Sequence, residues 1–101
     1  MIRVRHYTRV SAMRKIMKEL RIAASDKNSV FVERATSRRL SPADAVDTYG
    51  LQLGRGNAYV EFDIQPERLW LTWNARQKCE EGVIVGDIDL TDKNPLGFVN
   101  R

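Results

Sequence analysis

The chain has one histidine, His6, near the end of an extended-looking segment, Ile2-Arg3-Val4-Arg5-His6-Tyr7-Thr8. Side chains alternate along a strand, so Ile2, Val4 and His6 point one way and Arg3, Arg5 and Tyr7 the other. An imidazole at the last inward position of such a strand either is buried against a backbone carbonyl or edges a cleft. Spacing alone favours the first. The second group with chemical potential is Glu80-Glu81-Gly82, at the entry of an apolar run. Neighbouring strand residues face opposite sides, so one carboxylate faces the sheet interior and the other faces away. Parity does not choose between them, and both could be solvated loop carboxylates. A histidine, a carboxylate and a surplus of arginines are the set that acid–base cleavage of a phosphodiester requires. Cys79 could serve as a nucleophile beside His6, but Glu80 and Glu81 follow it, and their charge would raise a thiol pKa.

Most other templates are absent. There is no Gly-x-Ser-x-Gly elbow, complete Walker loop or His-Glu-x-x-His motif, and Gly54-Arg55-Gly56 does not lead from a strand into a helix, so it reads as a turn. One cysteine excludes an intramolecular disulfide and a cysteine-based zinc site, and with one histidine no metal is expected. Seventeen Lys and Arg against thirteen Asp and Glu give a net charge of +4, with the cations crowded into the first half. That asymmetry can steer anionic ligands such as nucleotides, RNA or acidic proteins, or it can be a merely solvated face.

Positioning these residues requires a scaffold, and its elements are largely readable. Val10, Met13, Ile16, Met17 and Leu20 have amphipathic-helix spacing, which predicts a helix from Ser11 to Leu20 with Ser11 as its cap and Arg14, Lys15, Lys18 and Arg21 on the solvent face. Ser29 to Glu33 reads as a short strand. Ser41-Pro42-Ala43-Asp44 opens a second helix: Ser41 caps, Pro42 takes the first helical position, and Asp44 meets the dipole, with an end near Tyr49 or Leu51. Ala58 to Ile64 alternates, with Ala58, Val60, Phe62 and Ile64 inward and Tyr59, Glu61 and Asp63 outward. Leu69 to Trp73 is extended, with at least one of its two tryptophans expected in the core. Asn74 to Glu80 reads as a loop or short helix, Val83 to Leu90 as a strand central in its first half, and Asn94 to Gly97 as a closing turn.

At 101 residues the chain, residues 1–101, is expected to form one domain with one modest core. Strands outnumber the two helices and connections are short, which predicts an α+β fold with a mixed or mostly antiparallel sheet. The N-terminus lacks the apolar run of a signal peptide, and no run approaches the ~20 residues of a membrane span, so the chain is expected to be intracellular, acting in the cytoplasm without membrane association.

Taken in order, Arg5-His6-Tyr7-Thr8, a helix, Val30-Phe31-Val32, Tyr59-Val60-Glu61-Phe62-Asp63-Ile64 and Glu81-Gly82-Val83-Ile84-Val85-Gly86-Asp87-Ile88-Asp89-Leu90 resemble the small ADP-ribosyltransferase-like domains of bacterial polymorphic toxins, which carry an N-terminal His-Tyr-Thr motif. The resemblance spans nearly the whole chain. It implies that NAD⁺ is the co-substrate, with His6 bonding a ribose hydroxyl and Tyr7 and Thr8 shaping the same edge. It implies that Glu81 binds the nicotinamide-ribose hydroxyl and stabilises the cation formed as nicotinamide leaves. Phe31 falls where such enzymes usually have a tyrosine for stacking nicotinamide, and keeps the aromatic face without the hydroxyl. Where the family has glycines before the glutamate, this chain has Gln77-Lys78-Cys79-Glu80. Arg3, Arg5, Arg34, Arg38 and Arg39 are expected to meet the pyrophosphate or an anionic acceptor. A toxin or effector role, a protein or nucleic-acid acceptor, NAD⁺ hydrolysis as a competing outcome and an immunity partner follow from the resemblance alone.

Two other functions fit the residues. A metal-independent ribonuclease would use a carboxylate, His6, arginines and stacking tryptophans without NAD⁺. A non-catalytic phage or mobile-element inhibitor could use the same scaffold for binding only.

Overall fold

The computed structural model describes residues 1–101. Eight strands and two α-helices follow in the order β1 (Ile2–Thr8), α1 (Val10–Glu19), β2 (Arg21–Ile22), β3 (Ser29–Arg34), α2 (Pro42–Tyr49), β4 (Ala58–Ile64), β5 (Leu69–Asn74), β6 (Cys79–Val85), β7 (Ile88–Asp89) and β8 (Leu96–Val99). Six strands form one sheet in the order β5-β6-β3-β1-β4-β8, and β2 pairs with β7 in a separate ribbon. Every pairing is antiparallel. The fold is α+β with two helices, as the element pattern predicts.

Both faces of the sheet are covered. Val4, Val30, Val32, Val60, Phe62, Ile64 and Ile84 point to one side, where Met13 of α1 and Ile22, Ile88 and Leu90 of the ribbon region complete the main core. On the other side Tyr7 and Tyr59 pack with Ala45, Leu40, Tyr49 and Leu51 around α2. This second layer corrects the expectation that Tyr59 faces outward: it is buried, as are Arg5 and Tyr7 on the same face. Alternation assigns a side chain to a face, and only the layer folded over that face decides whether it sees water.

Helix α2 begins as its sequence dictates. Ser41 accepts a hydrogen bond from the Asp44 amide at 3.2 Å, Pro42 follows it, and Gly50 ends the helix in the left-handed region. Helix α1 departs from expectation, because Arg9 rather than Ser11 is the N-cap and supplies no side-chain bond. Three further expectations fail at strands. The predicted strand Val83 to Leu90 is broken at Gly86, whose φ of 83° turns the chain so that β7 leaves the sheet for β2. The predicted turn at Asn94 to Gly97 runs into β8, which pairs with β4. Trp70 and Trp73, 66% and 67% exposed, are both outside the core, because β5 is an edge strand without a layer over either indole. Residues 75–78 join β5 to β6 as a hairpin turn, the loop rather than the helix of the two alternatives for this stretch. No helix is long and apolar enough to cross a membrane.

Candidate functional site

Strands β1 and β4 pair along seven residues, but β1 and β3 pair only at Val4↔Arg34 and Arg5↔Glu33. Beyond Arg5 the two strands part. A cleft of about 720 Å³ occupies the gap, a size suited to a nucleotide-like ligand. Because it passes between two strands rather than over a face, it collects side chains from both sides of the sheet. His6, Tyr7, Thr8, Phe31 and Glu81 all line it.

His6 spans the parting strands. Its Nδ1 lies 2.7 Å from the carbonyl oxygen of Phe31. A carbonyl only accepts, so Nδ1 carries the proton and Nε2 of the neutral ring is left as an acceptor. The two readings of this histidine therefore coexist: a backbone carbonyl satisfies it, and it lines the cleft. Burial pushes the imidazole below its ordinary range, the Phe31 bond opposes that, and the Arg55 charge lowers it further. Phe31, 51% exposed, offers a ring at the cleft wall.

The carboxylates separate by partner. Glu80 is exposed and pairs with Arg34 at 2.9 Å. Glu81 lies directly opposite Thr72 of β5 and takes a 2.8 Å hydrogen bond from Asn74 Nδ2 on Oε1. Gly82 lets this strand lie close to its neighbours, since a Cβ there would stand 2.8 Å from the Val32 carbonyl oxygen. Glu33 also reaches the cleft, but its oxygens are engaged: Oε2 by Arg5 at 2.5 Å and Tyr7 at 2.8 Å, Oε1 by Tyr49 at 2.6 Å. Burial pushes the Tyr7 hydroxyl up to about 12 and that of Tyr49 higher still, with Glu33 reinforcing both shifts. These hydroxyls stay protonated and act as donors. Cys79 is raised by burial first and then by Glu81 and Glu33, so it stays a thiol.

Four of the five arginines expected to meet the pyrophosphate or an anionic acceptor are held by protein partners. Arg5 is buried between Glu33 and Glu61, Arg3 pairs with Asp63, Arg34 pairs with Glu80, and Arg39 donates to Asn100. Register explains the first two, because Arg3 lies opposite Asp63 and Arg5 opposite both Glu61 and Glu33. Arg38 does not line the cleft. The cations that do, besides Arg5, are Lys15 on α1, Arg21 on β2 and Arg55 after α2. Arg21 is bonded to Asp87, whereas Lys15 and Arg55 have no carboxylate partner. Reading Lys15 as part of a solvated helix face and Arg55 as part of a plain turn missed both. No cluster of His, Cys, Asp and Glu side chains has the geometry of a metal site.

The sequence pattern described as HYD1 signature containing ADP-ribosyltransferase, a toxin family, matches residues 4–92. The chain belongs to that family. The match runs from β1 through β7 and includes every strand that lines the cleft. No curated protein and no solved structure matches the chain. For an ADP-ribosyltransferase-family domain, a cleft holding an aromatic ring, a neutral histidine and a glutamate contains groups for stacking, for hydroxyl recognition and for stabilising positive charge.

Proposed function

We propose that the domain binds NAD⁺ in the β1–β3 cleft, breaks its nicotinamide glycosidic bond and passes ADP-ribose to a macromolecular acceptor or to water. The observation that supports this best is the meeting of His6, Phe31 and Glu81 in one cleft. Phe31 stacks the nicotinamide ring. His6 Nε2 accepts a hydrogen bond from a ribose hydroxyl, while Lys15 and Arg55 offset the pyrophosphate charge. As the C1′–N bond breaks, its electron pair moves to the ring nitrogen and neutralises nicotinamide, so the leaving group needs no acid. The remaining ribose carries an oxocarbenium-like charge, and Glu81 stabilises it until a nucleophile attacks C1′ and loses a proton. Glu33 is unsuited to that role, because Arg5, Tyr7 and Tyr49 already engage its oxygens. The action is that of a toxin, in the cytoplasm of a target cell where NAD⁺ is available.

The test is NAD⁺ binding followed by calorimetry. Wild type binds, and His6→Ala or the pair Lys15→Glu with Arg55→Glu raises Kd by about tenfold or more, the loss of one or two charge-assisted contacts. Wild-type protein that is folded and does not bind NAD⁺ would contradict the reading.

A further inference from the structure

We infer that Asn74 is a positioning residue for Glu81, fixing which carboxylate oxygen is left to face the substrate. This inference rests on the reading of Glu81 as the residue that meets the ribose cation. Asn74 is the last residue of β5, and its side chain bonds in two directions. Oδ1 accepts from the backbone N–H of Gln77 at 3.1 Å, which closes the β5–β6 turn, and Nδ2 donates to Glu81 Oε1 at 2.8 Å. The amide cannot be reversed. Reversal would set an NH₂ against the Gln77 N–H and a carbonyl oxygen against a carboxylate, two repulsive contacts in place of two favourable ones.

The consequence lies at Glu81. With Oε1 held by Asn74, the carboxylate plane is tied to the turn and Oε2 remains for the ribose. A flexible glutamate at a strand edge would otherwise sample several rotamers, and misplacement by about 1 Å costs on the order of 10²-fold in rate. The turn that precedes the glutamate carries Gln77-Lys78-Cys79-Glu80 rather than glycines, and Lys78 adopts a left-handed φ of 53°. Asn74 holds this turn and the glutamate with one side chain, so the shape of the turn and the aim of the carboxylate are set together. Thr72, directly opposite Glu81, has no hydrogen bond to it, leaving Asn74 as the carboxylate's one protein donor.

Asn74→Asp separates positioning from turn structure. Aspartate keeps an acceptor for Gln77 but replaces the donor toward Glu81 with a second carboxylate. Like charges this close raise one pKa of the pair, and a protonated Asp could again donate to an ionised Glu81. Nicotinamide release from NAD⁺ is measured from pH 5 to 9 for wild type, Asn74→Asp and Asn74→Ala, with thermal melts of each. The expected result is a kcat lowered about 10²-fold at pH 8 in both variants with KM changed far less. The Asn74→Asp profile alone should rise toward acid pH, while its melting temperature stays near that of wild type. Wild-type kcat at pH 8 in a folded Asn74→Asp variant overturns the inference while leaving the Glu81 reading intact. No nicotinamide release from folded wild type overturns both.

Discussion

Burial lowers the affinity of the His6 imidazole for a proton, the Phe31 bond partly restores it, and the Arg55 charge lowers it again. The folded pKa is below the ordinary 6.5, so the unfolded chain binds this proton more readily than the native one. Stability from the neutral ring is therefore complete above about pH 6.5 and is lost as pH falls from there through the depressed folded value. Between pH 7.5 and 5.5 the wild-type melting temperature should fall more steeply than that of His6→Gln, which does not titrate and can still donate to the Phe31 carbonyl. Parallel slopes would contradict the assignment of a neutral imidazole held below its ordinary range. At this scale the sequence was informative where alternation fixes a face: His6 lies on the Val4 side of β1 as expected. It was silent on Asn74, which meets Glu81 across the β5–β6 turn, and on Lys15 and Arg55, which the fold brings to one cleft from separate elements. Parity left Glu80 and Glu81 open, and the structure separates them by partner, Arg34 for one and Asn74 for the other.

Among elements, β1, β3 and α2 are joined at Glu33. Arg5, Tyr7 and Tyr49 all donate to this carboxylate, and Tyr7 also accepts from the Leu40 amide, which ties the segment before α2 to the same point. The Arg5–Glu33 pair is buried on both sides, so removing one charge leaves the other without its main counter-charge. Glu33→Gln should lower unfolding stability in urea by about 3 kcal/mol, the lower end of such effects because Glu61 still faces Arg5. A loss below about 1 kcal/mol, the scale of a single neutral hydrogen bond, would contradict that role. Sequence signals worked at this scale where the chemistry is local, as at Ser41-Pro42 and Gly50. They failed where tertiary context decides: Ser11 does not cap α1, Gly86 divides one apolar run between two sheets, and β8 pairs with β4 where a closing turn was expected.

At the level of the molecule, the parted strands explain how a chain of 101 residues makes a cleft without a second domain. Interrupting one strand pair inside the sheet opens a site whose walls are already held by the paired strands on either side. The antiparallel α+β arrangement and the order of the motifs were legible in the sequence, while the second layer over Arg5, Tyr7 and Tyr59 was not, and the exposed indoles of Trp70 and Trp73 ran against their composition. In the proposed reaction one carboxylate of this cleft, Glu81, carries the chemistry. Glu81→Gln keeps an acceptor for Asn74 and removes only the charge, so it should fold as wild type does. The measurement is nicotinamide release together with label transfer from tagged NAD⁺ in a bacterial lysate, for wild type and Glu81→Gln, with and without nuclease treatment. Wild type should release nicotinamide and label an acceptor, Glu81→Gln should fall by at least about 10²-fold, in the range seen when one transition-state electrostatic contact is removed, and the nuclease arm sorts nucleic-acid from protein acceptors. Undiminished turnover by Glu81→Gln would contradict this role of Glu81.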